Sequence, residues 1–371
     1  MLYCEEENMM NANHTNKITS RQFFYMLIQF QIGMGLLSLP HTIYPVSGKG
    51  AWLFIFLLGI LIQIVTILFW LLGRQFPNQS FFEYIPSLIG PFLAKFVTFL
   101  FTLYFIISGC MITFYFGHIL KDWVLPHTPL WFIHLLLIGT AVYATMKGLQ
   151  NIGYFLLLSF PCVIVLFLLL SSSLTHLPIS HLFPFSSFDF SSIFHSSTEY
   201  ILTFTGFEAF LFFYPYIKGS EKQKIKSALL ANLFTNLSYV YVVLISFLHL
   251  TSSQIQYIAE PILYLLKTLP ISAFFRVDLV FLSLWIICVT TSLILYVYLT
   301  SYSLQSLLHI KRKTCITIGT ASLIYLFSLL PQHEETLHFL TNLFASLYII
   351  MTIFLPCLLL VISYMKKRRI E

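Results

Sequence analysis

The sequence predicts an all-α polytopic membrane protein with about ten transmembrane helices, and three observations lead to that class. Of the 371 residues, 58% are hydrophobic and only 9% charged, against roughly one quarter charged in a soluble domain. That leaves too few charges to coat a water-soluble core. Apolar runs of about 20 residues, long enough to span a hydrocarbon core at 1.5 Å per residue, recur along the chain, and the basic residues between them alternate in density.

Measured against that length, the segments fall at 22–46, 51–72, 92–118, 130–146, 154–173, 199–217, 228–250, 277–302, 314–330 and 341–363. They exceed the roughly 9–11 residues of a barrel strand, and a lipid-exposed backbone must bond to itself, so helices are expected. With a cytoplasmic amino terminus, only Lys49, Lys121, Lys267 and Arg276 of the 20 Lys and Arg fall outside, leaving 16 inside. The positive-inside rule then places both termini in the cytoplasm. The expected organisation is a cytoplasmic tail over 1–21, a transmembrane permease-like domain over 22–363 and a basic cytoplasmic tail over 364–371.

The polar start, with Glu5, Glu6 and Glu7, lacks the basic and apolar regions of a secretory signal peptide, so the first apolar segment is expected to remain as a span. Residues 174–198 carry no Lys or Arg and read as an external loop. Ile255 to Leu269 reads as a short interfacial helix before Pro270, and Phe81, Phe82, Tyr84 and Ile85 as a membrane-surface segment before Pro86 and Gly90. The Lys366 to Arg369 cluster fits an anchor or an anionic-lipid contact.

Two segments are interrupted. Gly33-Met34-Gly35-Leu36-Leu37-Ser38-Leu39-Pro40 places two glycines and a proline inside the first. Glycine permits unusual backbone angles, and proline lacks an amide donor and restricts the residue before it. An opened backbone can present amides to a carboxylate and carbonyls to a cation, while the same residues also serve helix packing or bending. The sixth segment holds Gly206, Phe207 and Glu208, followed by Tyr214 and Pro215. A carboxylate at mid-membrane costs roughly 2.5–3.5 kcal/mol on the translocon scale. That cost fits a cation or proton site, an ammonium contact, or a structural bond holding the broken helix.

Tyr104, Ser108, Met111 and Tyr115 share one face of the third segment, and Trp285, Val289, Ser292 and Tyr296 share one face of the eighth, beside Thr290 and Thr291. Arg276 and Asp278, two residues apart, are poorly spaced for direct pairing on a helix, and His41 reads as structural. Six scattered cysteines form neither a metal set nor a disulfide framework. No nucleophile triad, metal set or acid–base pair is present, so neither an enzyme nor a cofactor is expected. The Gly-x-Gly pair lacks the context of a nucleotide site, and no nucleic-acid partner is expected.

The Gly33-to-Pro40 break, the Phe207-Glu208 feature and the Arg276-to-Trp285 stretch together resemble the spore-germination permease family, in particular the B subunits of nutrient germinant receptors within the amino acid–polyamine–organocation superfamily. The resemblance covers nearly the whole chain. It implies two inverted five-helix repeats with helices one and six interrupted. It also implies a spore inner-membrane location, A-type and C-type partner subunits, and a small nutrient germinant, commonly an amino acid, whose binding triggers germination. Gly33, Met34, Gly35, Leu36 and Ser38 would supply backbone contacts. Gly206, Phe207 and Glu208 would line the helix-six side, with Thr290 and Thr291 as pocket residues from helix eight; Tyr104 and Ser108 join the candidate site from the shared face of the third segment. An ion-coupled amino-acid transporter and an ion- or water-conducting subunit are the alternatives.

Overall fold

The structure, a computed structural model, describes residues 17–33, 35–172, 202–269, 276–310, 312–330, 341 and 344–368. The expected loop over 174–198, Met34, Pro270 and the two extreme termini lie outside the described residues. The chain opens on β1 (Ile18–Thr19) and α1 (Ser20–Gln31), resumes after the first break as α2 (Leu39–Ser47), and runs on through α3 (Ala51–Gly73), α4 (Phe81–Ile89), α5 (Pro91–Trp123), α6 (Leu130–Met146) and α7 (Leu149–Ser171). After the second break come α8 (Ala209–Phe213), β2 (Ile217–Lys218), α9 (Glu221–His249), α10 (Ser252–Tyr257), α11 (Pro261–Thr268), α12 (Val277–Leu308) and α13 (Lys313–Ser328). A π-helical turn at Ile350–Phe354 leads into α14 (Leu355–Arg368).

The expectation of about ten crossing helices in two inverted five-helix repeats is corrected by these elements. Among the described residues, six helices are long and apolar enough to cross a membrane, namely Gly48–Gly73, Pro91–Trp123, Leu149–Ser171, Glu221–His249, Val277–Leu308 and Phe344–Lys366. No inverted five-helix repeat is found among them. The first expected span is cut after α1, whose 12 residues reach only about 18 Å of the roughly 30 Å hydrocarbon core. The sixth is reduced to the five-residue α8 between two 3₁₀ turns. The fourth and ninth become α6, with 17 residues, and α13, with 16. A hydropathy window counts apolar residues and does not register where the backbone leaves the helix.

Local signals set the helix starts. Thr19 with Gln22, Ser80 with Glu83, Ser220 with Gln223 and Thr251 with Gln254 each form a reciprocal capping box, which satisfies two of the amide groups that a helix start leaves open. The surface segment expected at Phe81 is α4, which continues through Pro86 to Ile89. The interfacial helix expected over Ile255 to Leu269 is two short helices, α10 and α11, with Pro261 at the start of the second. Lys366 Nζ donates to Ser87 O of α4, 2.7 Å away.

The core is centred on α12, which packs against α5, α6, α7, α13 and α1. Over an apolar membrane-length stretch, α12 is 67% buried and α7 33%, which separates a core helix from a rim helix. Leu57, Ile60, Leu61 and Ile64 of α3 and Leu158 and Leu168 of α7 point outward, as an apolar belt facing lipid requires. Many buried hydroxyls bond back to their own helix, as in Thr66 to Ile62 O at 2.8 Å and Thr98 to Ala94 O at 2.8 Å, which gives the side chain a partner in an apolar setting. The strands β1 and β2 pair in parallel, Ile18 beside Ile217 and Thr19 beside Lys218. That pairing ties the entry to the first interrupted segment to the exit from the sixth.

Small residues set the closest helix contacts. A Cβ on Gly59 of α3 would lie 2.0 Å from the side chain of Asn236 on α9, whereas Gly139 of α6 has open space beside it. Gly59→Ala is expected to destabilise the purified protein by about 1–3 kcal/mol, because Asn236 must leave its bond to Phe56 O. Gly139→Ala should leave stability unchanged or raise it by up to about 1 kcal/mol. Thermal unfolding in detergent checks the pair, and equal midpoints for both variants would contradict the α3–α9 contact.

Candidate functional site

The site begins with the backbone that the two breaks release. At the first, the helix ends with Ile32 N–H donating to Ile28 O at 2.9 Å and Gly33 N–H turning onto Gln31 O at 2.8 Å. The carbonyls of the last turn then lack helical partners. Ser292 of α12 donates to Gln29 O at 2.7 Å and approaches Phe30 O at 3.3 Å. Tyr239 of α9 donates to Gln31 O at 2.6 Å and stands 3.0 Å from Thr203 O, so one hydroxyl bridges both breaks.

At the second break, Gly206 has φ +111°, a region that glycine enters without strain. A Cβ there would lie 2.9 Å from both the carbonyl carbon and the oxygen of Phe30 and 3.1 Å from Gln31 N. The interrupted segments therefore meet backbone against backbone. A Cβ on Gly33 would lie 2.8 Å from Ser292 Oγ, so a side chain there would push aside the hydroxyl that serves the first break.

Glu208 is fully buried. Its Oε2 accepts from the Gly206 amide at 2.7 Å and its Oε1 from Tyr104 Oη at 2.6 Å. The carboxylate closes its own turn and joins it to α5. Hydrogen bonds to a charged group contribute about 1.5–3 kcal/mol, comparable to the mid-membrane cost of the carboxylate. Aromatic rings enclose this point. Phe207 stacks on Phe69 with centroids 5.5 Å apart, Tyr104 stacks on Phe344 at 5.5 Å, and Tyr348 stands 5.9 Å from Tyr104 and 6.4 Å from Phe207. Phe30 meets Tyr296 at 4.5 Å.

A buried polar string continues outward from α1. Gln31 Nε2 donates to Asn232 Oδ1 at 2.7 Å, and Asn232 Nδ2 donates to Thr66 Oγ1 at 2.7 Å. On another side, Ser159 donates to Gln29 Oε1 at 2.8 Å, and Gln29 Nε2 donates to Leu156 O. Gln31 Oε1 is buried with no hydrogen-bond donor among the described residues.

The structure distributes the expected site residues unevenly. Gly33, Gly206, Phe207, Glu208 and Tyr104 converge. Gly35 packs near Thr203, Leu36 is buried and Ser38 half-buried before α2. Ser108 donates to Tyr104 O one turn along α5. Thr290 bonds to Ile286 O and lines a separate cavity of about 520 Å³ beside Tyr143 and Phe155, and buried Thr291 bonds to Cys288 O. Their neighbour Ser292 makes the α12 contact with the break. Tyr239, Gln31 and Asn232 carried no sequence signal beyond being polar groups within apolar helices. Arg276 and Asp278 do pair, in a bidentate contact at 3.0 and 2.8 Å. Arg276 precedes α12 with ψ 77°, so the spacing rule for helical neighbours does not govern it. His41 Nδ1 lies 2.8 Å from Ile255 O, tying α2 to α10. Among the described residues, no group of three His, Cys, Asp or Glu could hold a metal.

A many-helix membrane domain whose broken segments meet around a buried carboxylate defines a polytopic protein of the permease class. Residues 17–337 match the family described as spore germination protein, and the chain belongs to that family. It is similar to spore germination protein YndE of Bacillus subtilis (strain 168), 24% identical over 95% of this chain and 98% of that one. It is also similar to spore germination protein GerQB of Bacillus cereus, 22% identical over 93% and 95%. Among solved structures, a Na⁺-coupled sialic acid symporter in a substrate-bound, outward-open state superposes with a TM-score of 0.63 at 11% identity, covering 92% of this chain and 80% of that one. That likeness concerns the fold.

Tyr239→Phe removes the donor shared by Gln31 O and Thr203 O and is expected to cost about 1–3 kcal/mol. Gly206→Ala is expected to cost more, since the new Cβ meets backbone that cannot swing aside. Unfolding midpoints of the purified variants measure both, and a Gly206→Ala protein as stable as the parent would contradict the contact between the breaks.

Proposed function

We propose that this chain is the membrane subunit of a nutrient germinant receptor in the spore inner membrane, with both termini cytoplasmic. It binds a small germinant, an amino acid above all, and triggers germination together with A-type and C-type partner subunits. The observation that carries the reading is the backbone-to-backbone meeting of the two interrupted segments beside buried Glu208. Opened helix ends offer amides to a carboxylate and carbonyls to an ammonium group, and the open acceptor Gln31 Oε1 adds a further partner for an ammonium. Both Glu208 oxygens are engaged and Gly206 rests on the Phe30 backbone, so a ligand at this point must part the breaks. It can shift the bundle only if it binds the parted arrangement more tightly than the packed one.

The second reading is an ion-coupled amino-acid transporter, favoured by the fold shared with a Na⁺-coupled symporter. In that case the same site would be loaded from one side and emptied to the other.

A germination-null strain complemented with this gene and its partner subunits, scanned across single amino acids, tests the receptor reading. Glu208→Gln is expected to raise the half-maximal germinant concentration roughly ten- to hundredfold, since in the parted arrangement the carboxylate released from Gly206 and Tyr104 would give the ligand's ammonium a charge-assisted hydrogen bond that the amide cannot, with membrane abundance of the protein unchanged. Unaltered germinant sensitivity in that variant would refute the site. Gradient-dependent accumulation of the amino acid in vesicles holding this chain alone would favour the transporter.

A further inference from the structure

At the ends of the broken segments, away from Glu208, a cavity of about 490 Å³ opens between β1, β2 and the start of α9. Three cations line it, each from a different element: Arg21 from the first turn of α1, Lys218 from β2 and Lys226 from α9. All three are exposed, no carboxylate lines the cavity, and none of the three forms an ion pair among the described residues. Glu221, close by in sequence, is engaged instead by Lys224 at 3.2 Å and by Tyr214 Oη, neither of which lines the cavity. Gly219, with φ +127°, keeps the floor clear. A Cβ there would lie 2.6 Å from Gln223 Oε1 and 2.9 Å from Ser20 Oγ.

One end of the cavity is apolar. Phe24 and Leu230 lie one turn beyond Arg21 and Lys226 on the same helices, and Leu230, Leu233 and Leu237 continue along one exposed face of α9 at helical spacing. A basic pocket opening onto an apolar stripe on a membrane helix matches one ligand chemistry, a phosphate carrying an acyl chain. We propose that this cavity is a binding site for an anionic phospholipid. Arg21, Lys218 and Lys226 hold the phosphate, and a chain lies along the Leu230–Leu237 face. Because its walls belong to β1 and β2, the lipid clamps the entry to the first interrupted segment against the exit from the sixth and favours the arrangement in which the breaks are packed. The inference is independent of the germinant receptor reading, since it concerns lipid retention and stability in the isolated chain.

The full-length protein reconstituted in nanodiscs of phosphatidylcholine, with or without phosphatidylglycerol, provides the test. Retained phosphatidylglycerol is read by native mass spectrometry and stability by thermal unfolding. Each of Arg21→Gln, Lys218→Gln and Lys226→Gln is expected to lower phosphatidylglycerol retention about fivefold, the effect of roughly 1 kcal/mol per basic residue at an anionic surface. The stabilisation by phosphatidylglycerol should vanish in the triple variant, while Lys313→Gln at the start of α13 leaves both readouts unchanged. The exposed positions of all these side chains keep the fold intact in the variants. Equal retention by the triple variant and the parent would overturn the proposal. So would stabilisation by inorganic phosphate in phosphatidylcholine discs equal to that by phosphatidylglycerol, which would assign the pocket to a soluble anion.

Discussion

Breaking a helix inside a membrane strands carbonyl and amide groups that lipid cannot satisfy, and the remedy organises the centre of this protein. The Gln29 and Phe30 carbonyls turn to Ser292, the Gln31 carbonyl to Tyr239 and the Gly206 amide to Glu208. Ser292 belongs to α12 and Tyr239 to α9, so both helices must stand against α1 for its end to be tolerated. The packing of α1 with α9, α7 and α12 is the tertiary form of that requirement.

The same requirement accounts for Glu208. A carboxylate is a strong acceptor, and here it takes one proton donor from its own turn and one from α5. Removing it would leave a buried amide and a buried phenol both without a partner, at about 1–3 kcal/mol each. Under the receptor reading, a ligand that draws on these backbone groups would have to replace bonds already made, which would couple occupancy to helix position through a handful of contacts.

Much of this was legible in the chain. Gly33 to Pro40 announces a break because glycine and proline act on the residues beside them, and Glu208 stands out because charge is rare between apolar runs. The capping boxes at Thr19, Ser80, Ser220 and Thr251 are equally local, each a Ser or Thr followed three residues later by Glu or Gln. Ser292 and Tyr239 were not legible in their roles. A hydroxyl that bonds across helices has the same sequence appearance as Thr98, which bonds back to its own helix. Thr290 and Thr291 share the polarity of Ser292, but a rotation of about 100° per residue sends them to other surroundings. The Arg276–Asp278 pair depended on Arg276 lying outside the helix, a boundary that hydropathy does not mark.

The sequence by itself determined the membrane class, the positions of the two interruptions and the burial of a carboxylate within the second. Those follow from composition and from backbone chemistry within a few residues. The tertiary structure decided how many helices are long enough to cross, which side chains close the opened backbone, and that the two breaks touch. The physical reason is reach. Ser292 and Gln29 lie 263 positions apart in sequence and 2.7 Å apart in space, and no local pattern encodes the folding path that brings such residues together.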